Sequence, residues 1–177
     1  ISRSGSLTWQ GVNNSDGTST GEKMIGVVTD GAARVMADIQ IVGLETRDKF
    51  NNTVTVKLKG PNKDKEDGGL CDSFEGVSCD GDELSGIKLE WDQDNLMHVI
   101  STSTPVYYQG PDTFVRFGSK EEANDKNAKS REVQVIVIAN NETVATGTIT
   151  LKRPAVLLVH GIWGDGNPGK LDDPNPN

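Results

Sequence analysis

Apolar residues recur at every second position in several separate runs of this sequence. Val35, Ala37, Ile39 and Ile41 alternate with Met36, Asp38, Gln40 and Val42. Val54, Val56 and Leu58 alternate with Thr53, Thr55, Lys57 and Lys59, and Ile87, Leu89 and Trp91 repeat the pattern. Successive side chains of a β-strand point to opposite faces, so a period of two puts one face in a core and the other in water. No long helical pattern competes with it. Strands that are apolar on one side must cover that side, and two packed sheets do so.

The rest of the chain fits the same plan. Leu7 to Val12 reads as a first strand, the Asn/Ser/Thr/Gly-rich residues 13–21 as a loop, and Lys23 to Thr29 as a second strand closed by Asp30-Gly31. Leu96 to Ser101, Val106 to Tyr108 and Thr113 to Phe117 are weaker strands. Glu132 to Ile138 and Thr143 to Leu151 flank Ala139-Asn140-Asn141-Glu142; asparagine tolerates positive φ, so a β-hairpin is predicted. Between residues 60 and 86 the alternation fails, and a structureless stretch of that length is unusual inside a compact domain. The charged residues 119–130 suit either a short helix or a loop. Only 34% of residues are hydrophobic and 5% aromatic, with 20 glycines, which many short strands joined by turns would give. We expect about nine short strands before Pro154.

Pattern and closing hairpin together resemble the immunoglobulin-like modules of bacterial surface and secreted proteins, over roughly Leu7 to Leu151. The resemblance implies an all-β fold, an immunoglobulin-like β-sandwich of about seven to nine strands, with a C-terminal extension. Residues 1–153 would form the sandwich. Proline cannot donate to a ladder, so Pro154 suits a domain junction, with residues 154–177 beyond it.

Cys71 and Cys79 flank a short loop. So close a pair in a loop-rich β protein points to a disulfide and an oxidising compartment, with two free thiols as the alternative. Their spacing does not match the distant inter-sheet pair of antibody domains. The expected location is secreted or extracellular, at a bacterial cell surface. No signal peptide is visible, and Ile1-Ser2-Arg3 looks like a mature N-terminus or the interior of a precursor. No run approaches the roughly 18 apolar residues of a membrane span. The formal net charge of −8 disfavours nucleic acid, whose phosphates would repel the chain, and anionic membrane surfaces.

Pro154 is followed by Ala155-Val156-Leu157-Leu158-Val159 and then His160-Gly161-Ile162-Trp163-Gly164-Asp165. An apolar run without alternation reads as a strand buried on both faces. A buried strand ending in His-Gly resembles the first core strand and oxyanion loop of the α/β-hydrolase family, in its lipase and esterase branch. The resemblance implies that the backbone N–H of Ile162 would face the oxyanion, that Gly161 would let the backbone approach substrate, and that His160 would orient the loop. A hydrolase domain needs on the order of 200 further residues, so residues 154–177 would be only its start.

The family's nucleophile sits in G-x-S-x-G on a sharp strand-to-helix turn. Gly17-Thr18-Ser19-Thr20-Gly21 matches the letters, but in a polar loop ahead of the oxyanion strand. Gly76-Val77-Ser78-Cys79-Asp80 lacks the closing glycine, and His98 also precedes the oxyanion strand. An oxyanion loop without a nucleophile has nothing to stabilise, so this chain is expected to be catalytically silent. The function expected is a non-catalytic accessory domain of a secreted serine hydrolase, positioning the enzyme or attaching it. Its partners would be the remainder of the hydrolase and a cell-surface or lipid substrate. The alternative is an adhesion or binding module with no enzyme attached. No cofactor is expected; calcium at the acidic loop (Asp64, Glu66, Asp67, Asp72, Asp80, Asp82, Glu83) is weighed against a solvated loop, and neither it nor Asp165, Asn167, Asp172 and Asp173 has EF-hand spacing. Asn13, Asn51 and Asn141 begin glycosylation sequons that need a eukaryotic secretory pathway. Trp91, Tyr107 and Tyr108 could form a carbohydrate platform, or core.

Overall fold

The computed structural model describes residues 3–44, 52–60, 62–75, 78–115 and 128–155. The fold is all-β. Eleven strands occur among the described residues: β1 (Ser4–Val12), β2 (Ser19–Met24), β3 (Gly26–Val28), β4 (Arg34–Val42), β5 (Thr53–Leu58), β6 (Gly69–Cys71), β7 (Glu83–Asp92), β8 (Met97–Ile100), β9 (Tyr107–Gln109), β10 (Ser130–Ala139) and β11 (Glu142–Lys152). One layer carries β2, β1 and β4, with β8 and β9 both paired to β4 and β6 paired to β9. The other carries β7, β5, β10, β11 and β3.

The alternating residues do what the pattern demands, except that Trp91, at the end of its run, is 45% exposed and is not core. Val35, Ala37, Ile39 and Ile41 of β4 are buried, as are Val54, Val56 and Leu58 of β5, Ile87 and Leu89 of β7, and Val133, Val135 and Val137 of β10. They join Leu7 and Trp9 of β1 and Ile149 and Leu151 of β11 in one core. Each fully buried aliphatic or aromatic side chain contributes about 1.5–3 kcal/mol relative to exposure. Tyr107 and Tyr108 are also buried, so they form no exposed platform; Tyr108 packs against Trp9 with ring centroids 6.0 Å apart.

The two layers are stitched at both edges. β7 belongs to both, because Glu83 to Lys88 follow β5 whereas Leu89 to Asp92 follow β8. Its ladder to β5 shifts register between Val54 and Val56, and Gly86 has φ of 74°, which marks a bulge where the strand turns. At the opposite edge β2 pairs with β1, and β3 pairs with β11 in parallel register, Thr150 opposite Gly26. The expected second strand is thus two strands broken at Ile25, and the first of them begins at Ser19, inside the expected loop. The parallel pair departs from an otherwise antiparallel plan. β1 also crosses β11 closely: a Cβ on Gly147 would stand 2.6 Å from Leu7 Cγ and 2.7 Å from its carbonyl oxygen. Arg3, just before β1, pairs with Glu142 at the start of β11 at 2.6 Å.

Between residues 60 and 86, where the alternation fails, the described residues are nonetheless ordered. They include a 3-10 turn (Lys63–Lys65), β6, and a bridge between Leu70 and Gly81. Their anchor is Arg131 of β10. That guanidinium pairs with Asp67 at 2.6 Å and donates to the carbonyls of Phe114 at 2.7 Å and of Glu66. Tyr108 donates its hydroxyl to the Asp67 carbonyl at 2.7 Å. The Thr113–Phe117 expectation falls partly, and the 119–130 segment mostly, outside the described residues.

Candidate functional site

Because Val35, Ala37, Ile39 and Ile41 point inward, Met36, Asp38 and Gln40 present themselves on the outer face of β4. Two strands share the next place in the sheet. β8 pairs with β4 at Gln40 and Ile41, and β9 pairs with it at Arg34 to Met36. Between them residues 101–106 leave the ladder. Ser101 and Thr104 close a turn at 3.2 Å, Pro105 has no N–H to offer, and Ala37 N–H reaches the Val106 carbonyl at 2.8 Å. The result is a gap in the sheet above Ala37.

The loop 13–18 forms the opposite wall. Its composition folds it on itself: the Asn13 side chain accepts from Ser15, and Asp16 Oδ1 accepts the Thr18 N–H at 3.0 Å and hydroxyl at 2.7 Å. Tyr107 then ties the loop down, donating its hydroxyl to the Gly17 carbonyl at 2.8 Å. Gly17 lies on Phe74, so close that a Cβ would stand 2.8 Å from the ring's Cδ1, and its φ of 73° also favours glycine. Phe74 is in turn held within the cysteine loop. The two sulfurs lie at bonding distance, 1.95 Å, with Cα atoms 4.6 Å apart. Cys71, Cys79 and Tyr107 form a second small core outside the sandwich, with Val12, Met36 and Phe74 against it. Arg34 donates to the Phe74 carbonyl at 2.7 Å.

Wall and gap enclose an open cleft of about 350 Å³. Met36, Ala37, Ile100 and Pro105 supply apolar surface, and Gln10, Asp16, Thr18, Ser19, Asp38, Ser101, Thr102 and Tyr107 supply polar groups. Asp38 accepts from Gln10 Nε2 and Gln40 Nε2, each at 3.3 Å. Gln10 Oε1 accepts the Ser19 hydroxyl. The Thr18 backbone N–H, followed by its hydroxyl, holds the Asp16 carboxyl below the ordinary range, so it is ionised at neutral pH. Burial raises the Tyr107 hydroxyl, which keeps its proton and remains a donor.

The expected site residues distribute as follows. Cys71 and Cys79 come together. His160, Gly161 and Ile162 lie outside the described residues, as do Asn51, Gly76, Val77, Asp165, Asn167, Asp172 and Asp173. Ser19 lines the cleft without a histidine: His98 is buried in β8, meets Trp91 edge-on with centroids 5.0 Å apart, and is not among the lining residues. Its burial lowers its pKa. Ser78 is exposed, as are Asn13 and Asn141. Of the acidic loop, Asp67 serves Arg131, and Asp82 serves Asn62 at 2.8 Å and Lys65 at 3.1 Å. Burial works to raise the Asp82 carboxyl, but those two hydrogen bonds together with the charges of Lys65 and Lys57 lower it. Among the described residues no group of three or more His, Cys, Asp or Glu is placed to hold a metal. Sequence reasoning missed Gln10, Asp16, Asp38 and Ile100 as a group. The polar position of Asp38 in an apolar strand was visible, but nothing local says that β8 and β9 part beside it.

Among the described residues no helix is long and apolar enough to cross a membrane. No protein-family model, curated protein or solved structure matches the chain.

Proposed function

We propose that this chain is the non-catalytic accessory domain of a secreted serine hydrolase of the lipase and esterase kind, serving to position or attach the enzyme. The observation that carries the non-catalytic part is the partner of Ser19. The serine of the chain's only G-x-S-x-G match donates its hydroxyl to the amide oxygen of Gln10. An amide oxygen is too weak a base to take that proton, and a serine is a poor nucleophile without a base. The link to a hydrolase rests on the sequence resemblance of residues 155–166. The cysteine pair is compatible with an extracellular setting.

The purified chain should hydrolyse no p-nitrophenyl ester above the buffer rate, and Ser19→Ala should change nothing. Hydrolysis that survives repurification and disappears in Ser19→Ala would overturn the non-catalytic reading. The hydrolase link has its own test. The parent reading frame should encode a strand-borne G-x-S-x-G within about 100 residues after Asn177. A further β-repeat there would favour the second reading, a binding module with no enzyme attached. That reading is favoured by the presence of a formed cleft on the outer sheet face.

A further inference from the structure

We infer that the cleft on the outer face of β4 binds an organic ammonium ion, a positively charged head on a short apolar stem. The inference goes beyond the accessory role and holds whether or not a hydrolase is attached.

Three properties of the cleft point the same way. Its volume, about 350 Å³, is at the small end of ligand pockets. Met36, Ala37, Ile100 and Pro105 give it apolar surface, which suits a stem of a few carbons. Its charge has one sign. Asp16 and Asp38 are both at the lining, and no described lining residue is basic.

The hydrogen-bonding inventory narrows the class further. Thr18 directs its hydroxyl to Asp16, Ser19 to Gln10, Ser101 to Glu90 and Tyr107 to Gly17. The side-chain amides of Gln10 and Gln40 donate to Asp38. Those four hydroxyls are thereby committed inside the protein, whereas the Thr102 hydroxyl and one N–H of the Gln10 amide remain at the lining. The acceptors are not exhausted: both bonds from Thr18 end on Oδ1 of Asp16, which leaves Oδ2 to a ligand. An anion needs positive charge, which the described lining does not supply, and two carboxylates would repel it. An ammonium has three donors and no acceptor, and so fits a wall that offers chiefly acceptors. The same chemistry could come from a free amine or from a lysine side chain of another protein.

The test uses the whole chain, with n-butylammonium chloride as probe and 1-butanol and sodium butyrate as neutral and anionic analogues of the same stem. Binding is followed by amide chemical shifts at constant ionic strength. We expect n-butylammonium to shift the amides of Gly17, Thr18, Ala37 and Ile100, with an affinity at least about tenfold above butanol and no binding of butyrate. Asp16→Asn and Asp38→Asn keep an acceptor oxygen and lose the charge. Each should weaken butylammonium about tenfold while leaving the melting temperature near that of the parent. Nα-acetyl-lysine-N-methylamide distinguishes the sources: binding tighter than butylammonium assigns the cleft to a protein side chain, equal or weaker binding to a free amine. Butanol binding as well as butylammonium would overturn the inference on the parent chain alone, whatever the variants do. So would absence of shifts at those amides at tens of millimolar probe, or a folded double asparagine variant that binds as the parent does.

Discussion

Arg131 occupies the second position of β10, opposite Leu151, and its side chain runs under the 62–82 loop rather than into water. Its side chain is 8% exposed and that of Asp67 10%, so the pair is buried. Removing one member of such a pair costs about 3–5 kcal/mol, because the remaining charge stays in a poor solvent. Arg131→Leu should therefore lower stability in a urea melt by about that amount. Arg131→Lys should recover only part, since an ammonium cannot serve two carbonyls and a carboxylate with a planar fork. A loss below about 1 kcal/mol for Arg131→Leu would mean that the loop is held by other contacts. This anchor was not legible in the sequence. Asp67 lies in a run that reads as solvated charge, and its partner is 64 positions away. Nothing local distinguishes an aspartate that meets an arginine from one that meets water. The cysteines were legible, because their nearness in sequence already limits how far apart they can be in space.

Among the elements, the β10–β11 hairpin was the most legible. Both arms alternate, and Asn140 and Asn141 adopt φ of 50° and 64° in the turn, as asparagine readily does. Periodicity identifies a strand but not its neighbours, which is why Lys23 to Thr29 reads as one strand and why nothing in the pattern of β8 and β9 says that both pair with β4. Their boundaries follow from changes of partner, and no single-strand pattern records them. Two glycines separate the kinds of constraint that such partner changes impose. Gly86 has open space around a Cβ but a positive φ; Gly147 faces the Leu7 backbone across the crossing of β1 and β11. Gly86→Ala should cost about 1–2 kcal/mol for the left-handed backbone. Gly147→Ala should cost more, up to about 3 kcal/mol, because a backbone carbonyl cannot rotate away as a side chain can. Thermal melts of the two variants check the order, and a reversed order would mean that β1 yields at the crossing.

For the molecule as a whole, the two-layer plan was readable from alternation, whereas its closure was not. β7, shared between the layers at one edge, and the consecutive strands β2 and β3, one in each layer at the other, leave the sandwich nearly barrel-like, and its outer face carries a second small core that shapes the cleft. The cleft's residues are ordinary strand and turn residues by type. Only the parting of β8 and β9, a property of the assembled sheet, brings them to one place. The directions of the first and last strands have a further, mechanical consequence. Gly5 lies beside Val144 and Ala145, and Leu7 beside Gly147, so β1 and β11 run the same way. Arg3 therefore stands at one end of the sandwich and Lys152 at the other, separated by a strand of 11 residues, roughly 35 Å. Tension applied between those ends would drag β11 lengthwise past β1, β3 and β10, loading many contacts together. Tension between Ser130 and Lys152, which face each other at the open end of the hairpin, would peel pairs apart one at a time. Single-molecule stretching should find a several-fold higher unfolding force for handles at residues 3 and 153 than at 130 and 152; equal forces would refute it. A domain strung between a surface and an enzyme would then transmit pull without opening.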